Sequence, residues 1–432
     1  MKSCRRFLVY AMILLSGGLA VSTPSVFALG LQDLEELERT SETTEEVPSG
    51  EPGQADGTST NDQNTNEDSF HLGGALRFNA FYKSWLGEEA NRDRGGDFAF
   101  DTARVNVDGS HQGLGISLEY RFYSGYNMLH HGYFGYTFAN GSEVQFGVHR
   151  NPLGLLPYAS HNWFFDLTYY LGMEDDYDAG VKLIVPLDAL NVQVAFYKND
   201  EGSYTGNSLD SARYSYDVVR ASGSELGDPG MSGPRTNEET NQVNARVAYT
   251  IDHGQTGSSE VGLSGEYGGL YNATTARMGK HWATAVHANL TYGRVNIMLE
   301  ALKYAFRPEN PLGQDDRFIV LGAYDAPYKV AAEGSMMIAN VAYKLPIQRK
   351  PIDSLTFYNN YSYLAKTEDS FADSQQNVIG VLIAAGKLFT YVDFAFGKNH
   401  AWIGPDYTLG FADGNPSAQW EMRFNVNIGY YF

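Results

Sequence analysis

The sequence predicts an all-β fold, a transmembrane antiparallel β-barrel of about sixteen strands. Three observations carry that expectation. Apolar and polar residues alternate with period two over most of residues 70–432. The connections between the alternating stretches are themselves short and long in turn. No stretch is apolar over the roughly 20 residues that a membrane-spanning helix needs.

The alternation is legible element by element. "GALRFNAFYK" sets Leu76, Phe78, Ala80 and Tyr82 against Arg77, Asn79 and Lys83. "LGISLEYRFY" sets Leu114, Ile116, Leu118, Tyr120 and Phe122 against Ser117, Glu119 and Arg121. "SEVQFGVH", "NQVNARVAYTI" and "HWATAVHANLTY" continue the pattern, the second placing Arg246 on the polar side. The last stretch, "MRFNVNIGYYF", alternates up to Phe432. Such stretches read as strands with one apolar and one polar face. Short connections fall near 109–113, 139–142, 186–190, 252–260, 293–294, 345–354 and 385–387. Long ones fall near 86–97, 124–131, 150–177, 198–240, 269–280, 307–332, 366–375 and 397–418. Seven short and eight long connections imply sixteen strands. That asymmetry separates an outer-membrane barrel from a soluble sandwich. Tyrosines near strand ends (Tyr82, Tyr120, Tyr136, Tyr249, Tyr267, Tyr292, Tyr343, Tyr430) are placed to form interfacial girdles.

Composition agrees. Of 432 residues 14 % are aromatic and only 19 % charged, with 30 Tyr and 46 Gly, which suits strands and turns better than long helices. The net charge of −20 argues against nucleic acid as a partner. Residues 1–28 read as a cleaved signal peptide, with Lys2, Arg5 and Arg6 before the apolar run "FLVYAMILL". The expected location is therefore the outer membrane of a bacterium. Residues 29–69 form an acidic, mostly disordered segment with too little to bury. The single Cys4 lies in the signal, so no thiolate chemistry is expected.

If the apolar face meets lipid, the polar face lines a wet lumen, and sixteen strands leave room for an aqueous channel. The stretch "RNPLGLLPYASHNWFFDLTYYLGMEDDYD" is too aromatic to stand in water and is expected to fold into the barrel and narrow it. It ends in Glu174, Asp175, Asp176 and Asp178. Facing Arg77, Arg104, Arg121 and Arg246 of the wall, these acids would set up a transverse field and admit cations at least as well as anions. His130, His131, His281 and His287 lack metal-ligand spacing, so no metal or cofactor is expected. No G-x-S-x-G or Ser/His/Asp grouping suggests an enzyme.

"VQFGVHRNPLGLLPYASHNWFFDL" followed by "YDAGVKL" resembles a segment of the phosphate-selective porin O and P family. There a strand runs into a Pro-Phe-Gly-Leu-like turn, an inward-folded third external loop and an Asp-x-Gly-Val strand start. "SLTFYNNYSYLAK" and "YVDFAFGKNH" are similar to stretches of wider relatives. The resemblance implies a sixteen-stranded, homotrimeric outer-membrane porin. It departs at Leu153, where Phe is usual, and in a loop without the lysines of phosphate-selective members. The expected function is passive diffusion of small hydrophilic solutes and ions. The alternatives are a substrate-specific channel for an anion such as phosphate or for a sugar, and a barrel enzyme or adhesin. The terminal strand should close the barrel against the strand near residues 72–82, since it cannot stay unpaired in lipid. Its Ile428, Tyr430 and Phe432 resemble the signal read by barrel-assembly machinery.

Overall fold

A computed structural model describes residues 68–228, 231 and 233–432. The signal peptide and nearly all of the acidic segment lie outside the described residues.

Among the described residues nineteen strands form in chain order. Four come first: β1 (Ser69–Lys83), β2 (Asp97–His111), β3 (Leu114–Phe122) and β4 (Asn127–Thr137). Then come β5 (Glu143–Arg150), β6 (Tyr177–Leu187), β7 (Leu190–Asp200), β8 (Asp217–Val218), β9 (Asn237–Asp252) and β10 (Gly257–Asn272). They are followed by β11 (Arg277–Tyr292), β12 (Val295–Arg307), β13 (Phe318–Ala323), β14 (Ala326–Ala331) and β15 (Glu333–Arg349). The last four are β16 (Ile352–Lys366), β17 (Ser374–Ala385), β18 (Leu388–Lys398) and β19 (Glu421–Tyr431). Sixteen of these close into one antiparallel barrel in the order β1-β19-β18-β17-β16-β15-β12-β11-β10-β9-β7-β6-β5-β4-β3-β2. The other three, β14-β13-β8, make a small separate sheet.

The seam is where the terminal alternation requires it. β19 pairs with β1 from Ala75↔Tyr431 to Lys83↔Arg423. Gly74 and Phe432 exchange both backbone hydrogen bonds, at 3.2 and 3.0 Å. Closure leaves no open edge, which is the condition for strands to stand in hydrocarbon. No described helix is long and apolar enough to cross a membrane.

Burial inverts the pattern of a soluble protein. Leu76, Val247, Leu263, Val286, Phe357 and Phe394 are exposed on the outside. Arg77, Arg121, Arg246, Glu300, Asn360 and Asp393 are buried on the inside. An apolar exterior of this extent is costly in water and favourable in lipid. Tyr136, Tyr249, Tyr292, Tyr343 and Tyr430 are exposed near the short-turn end, where a girdle is expected.

Two connections differ from the sequence reading. Residues 124–131 and 269–280 were expected as long loops, yet both are tight turns. β3 and β4 are joined by residues 123–126, where Tyr123 N–H donates to Tyr126 O at 3.0 Å and the two rings stack at 5.1 Å. β10 and β11 remain paired as far as Asn272↔Arg277. There Asn272 Oδ1 accepts from the backbone N–H of Thr274 and Thr275. Gly268 and Gly269 lie within β10 at a register shift against β9. An added Cβ on Gly268 would fall 2.1 Å from His281 Nε2, so the ladder needs glycine for close approach. The connection 307–332 is also no simple loop, because it contains the β13–β14 hairpin.

Candidate functional site: a basic wall facing an aromatic loop

The site is built from residues 151–176, between β5 and β6. Its sequence is rich in groups that bury well (Leu153, Leu155, Phe164, Leu167, Tyr169, Tyr170), and all of these are buried. Burying them also buries the irregular backbone between them, whose N–H groups then need partners. Side chains of the polar strand faces supply these. Gly154 N–H donates to Ser264 Oγ at 2.8 Å and Leu155 N–H to Glu300 Oε2 at 2.7 Å. His161 N–H donates to Asn360 Oδ1 at 3.1 Å, and Leu167 N–H to Ser362 Oγ at 3.1 Å. Carbonyls are met too: Arg246 Nε donates to Gly154 O at 2.9 Å and Gln376 Nε2 to Phe165 O at 2.7 Å. These partners belong to β9, β10, β12, β16 and β17, so the segment is fastened to one half of the wall. Gly154, with φ +62°, sits so close to β12 that a Cβ would lie 2.5 Å from Glu300 Oε2.

The opposite half, β1–β3 with β19, keeps its polar side chains turned toward a cavity of about 450 Å³. Its wall presents Arg77, Arg121 and Arg423 with a single carboxylate, Asp101. Arg77 Nε pairs with Asp101 Oδ2 at 2.9 Å. Arg121 pairs with Glu119 and lies 4.5 Å over the Tyr214 ring. Arg423 lies 4.9 Å over Phe81 and 5.3 Å over Phe164. Trp163, Phe164, Phe165, Tyr169 and Tyr170 form the facing side. Three bases and one acid leave the lining at +2. A second cavity, about 420 Å³, lies at the seam and is bordered by Arg104, Lys387 and Asp108, with His131, Tyr431 and Phe432.

The expected site residues are thus only partly brought together. Arg77 and Arg121 border the larger cavity and Arg104 the smaller. Arg246 lies on the other half, holding Gly154 O and pairing with Glu260 at 2.6 Å. None of the four acids borders the larger cavity. Glu174 accepts from Ala159 N–H at 2.8 Å and Thr168 Oγ1 at 2.7 Å, and burial pushes its carboxyl up to about 7. Asp175 takes Arg150 Nη2 at 3.0 Å and Tyr214 Oη at 2.6 Å. Burial still raises its carboxyl, against the pull of Arg150. Asp176 and Asp178 share the side-chain amide of Asn151. Glu174, Asp175 and Asp176 lie at the base of the segment and Asp178 near the start of β6, each bonded to local partners.

Four contributors were not picked out from sequence as a site. Arg423 stands among the polar positions of the terminal stretch "MRFNVNIGYYF". Tyr214 and Tyr216 come from the connection between β7 and β9, and Tyr324 from the β13–β14 turn. These tyrosines pack with Leu153, Leu167, Tyr169 and Tyr170 in one hydrophobic cluster with Leu321, Tyr328 and Phe411. The two apolar runs on either side of Tyr324–Asp325 in "FIVLGAYDAPYKVA" were the available signal for that hairpin.

No family model matches the chain, so it is not assigned to the phosphate-selective porin family that its loop resembles. No curated protein matches it either. Solved structures match in fold. The anion-selective porin from Comamonas acidovorans superposes with a TM-score of 0.50 at 14 % identity, covering 85 % of this chain and 100 % of that one. The outer membrane channel DcaP of Acinetobacter baumannii gives 0.50 at 11 %, covering 84 % and 97 %. The trimer form of OmpT, an outer membrane protein of Vibrio cholerae, gives 0.50 at 12 %, covering 85 % and 100 %. At such identities the likeness is one of fold.

Proposed function

We propose that the protein is an outer-membrane porin that lets small hydrophilic solutes and ions diffuse passively, without enzymatic activity. The observation that carries the reading is the cavity between a net-positive wall and an aromatic segment, inside a closed barrel with an apolar exterior. In this reading residues 151–176 fold into the lumen and form the constriction, supported by their hydrogen bonds to inward-facing side chains of five wall strands. Arg77, Arg121 and Arg423 are the constriction bases, with Arg104 further along the path. The passage favours anions, in place of the cation-tolerant field read from the loop acids, because those acids are tied up at the base of the segment. The fold neighbours include an anion-selective porin and a trimer form, which supports anion passage and a homotrimer here. A channel specific for one anion, phosphate included, is the second reading. The guanidinium forks of Arg77, Arg121 and Arg423 suit the bidentate binding of a carboxylate or phosphate.

Conductance in planar lipid bilayers tests the porin reading. Stepwise insertion of open channels is expected; a folded protein that passes no current would favour the enzyme or adhesin alternative. We further propose that Ile428, Tyr430 and Phe432 serve as the signal for barrel assembly. Removal of Phe432 should then lower the folded yield in membranes while surviving channels conduct normally, and an unchanged yield would contradict it.

A further inference from the structure

Behind the aromatic segment, away from the larger cavity, three carboxylates meet. Asp176 lies at the base of residues 151–176, Asp178 in β6, and Asp217 in β8, within the connection that carries Tyr214 and Tyr216. One oxygen of each lies within 4.8 Å of those of the other two. All three residues are more than nine-tenths buried. Buried carboxylates ordinarily satisfy both oxygens with donors. Here Asp176 Oδ1 and Asp178 Oδ1 are each sealed from solvent with no hydrogen-bond partner, while Asp217 meets a second carboxylate, Glu201, side chain to side chain. Their other oxygens are served. Asn151 Nδ2 donates to Asp176 and, at 2.7 Å, to Asp178, while Arg213 Nη1 donates to Asp217 Oδ2 at 3.0 Å. Asn151 Oδ1, on the same side chain, is buried and unpartnered as well.

Local positive charge does not answer this cluster. Arg213 is divided among Asp200 at 2.8 Å, Asp210 at 3.0 Å and Asp217 at 3.0 Å. Glu201 lies 3.9 Å from the same guanidinium. Three buried carboxylates whose oxygens approach within 4.8 Å, two of them with an unpartnered oxygen, form a donor set of the kind that holds a hard cation.

We propose that Asp176, Asp178 and Asp217 bind one divalent cation of the calcium type. The donors are hard oxygens with no nitrogen or sulfur among them, which excludes a preference for zinc or copper. Calcium takes oxygens at roughly 2.3–2.6 Å, so two donors on opposite sides of it stand about 4.8 Å apart. Oxygens that lie mutually within 4.8 Å can meet one calcium ion. Magnesium gives up its water reluctantly and is rarely held by an all-protein cage, which favours calcium at this buried site. The bound ion would join three chain segments: the base of residues 151–176, β6, and the connection that supplies Tyr214 and Tyr216. It would hold the aromatic side of the passage in place. This site does not depend on the porin reading, since it rests on different residues and a different readout.

The test is calorimetric titration of calcium chloride into the full-length, chelator-treated protein, folded in detergent. The expected result is saturable binding of one calcium per chain, with magnesium at least tenfold weaker. Asp217→Asn should weaken calcium binding at least tenfold while strand content by circular dichroism is unchanged. Asp353→Asn, at the start of β16 and outside the cluster, should leave it intact. Absence of saturable binding by the wild-type protein at millimolar calcium would overturn the proposal, whatever the variants do. So would an Asp217→Asn protein that folds and binds calcium as the wild type does.

Discussion

The two halves of the barrel wall are made in the same way and used differently. On the side of β9 to β18, polar side chains such as Arg246, Ser264, Glu300, Asn360 and Ser362 face inward and are taken up by the backbone of residues 151–176. On the side of β1 to β3 and β19, Arg77, Arg121 and Arg423 face inward and border a cavity. Alternation gives both halves inward polar groups. What separates them is whether a loop backbone has claimed those groups. An inward arginine is therefore not a pore arginine by position alone, and Arg246 is the instance.

Charge reversal on the open half is the strongest way to break this comparison. Arg77→Glu with Arg423→Glu changes the lining from three bases and one acid to one base and three acids, from +2 to −2. The zero-current potential in a salt gradient should change sign. A double variant that folds and keeps the wild-type sign would contradict the assignment of this wall. Arg246→Gln on the covered half removes a base of the same inward parity. It should leave the sign of selectivity alone, while Gly154 O and Glu260 lose a charged donor. A stability loss of about 1–3 kcal/mol is expected from that, read as a lower thermal unfolding midpoint. Selectivity that shifts as much as in the open-wall variant would erase the distinction between the halves.

The sequence carried the in-or-out parity of each strand and the closing seam, because period two and an edge-free barrel leave little freedom. It did not carry the course of residues 151–176 around the circumference. That course decides which inward residues are covered, and it depends on packing against Tyr214, Tyr328 and Phe411 from distant loops. The acids were misleading for a related reason. A run such as "MEDDYD" reads as solvated, but each carboxylate has a local donor: Ala159 N–H and Thr168 for Glu174, Arg150 for Asp175, Asn151 for Asp176 and Asp178. Donors that come from 6 to 27 residues away in the chain are not visible as a motif.

A smaller effect sharpens the covered half. His161 Nε2 hydrogen-bonds with Asn296 Oδ1 at 2.6 Å, and its Nδ1 lies 2.9 Å from Asn360 Nδ2, which fits a neutral ring donating through Nε2 and accepting through Nδ1. Burial lowers its pKa to about 4 from an ordinary 6.5. Between those values only an undocked segment takes up the proton, so the contribution of His161 is full above pH 6.5 and is lost as pH falls toward 4. Hydrogen exchange of residues 151–176 should show the protein better protected than His161→Gln at pH 7, with the advantage shrinking by pH 4. An advantage that grows on acidification would mean the ring is charged when docked.

The central claim is that the passage runs between a net-positive wall and an aromatic segment whose acids are turned away from it. The zero-current potential of the unaltered protein across a tenfold potassium chloride gradient measures this most directly. The account predicts a potential with the sign of preferred chloride flow, and a potential near zero or of the opposite sign would contradict it.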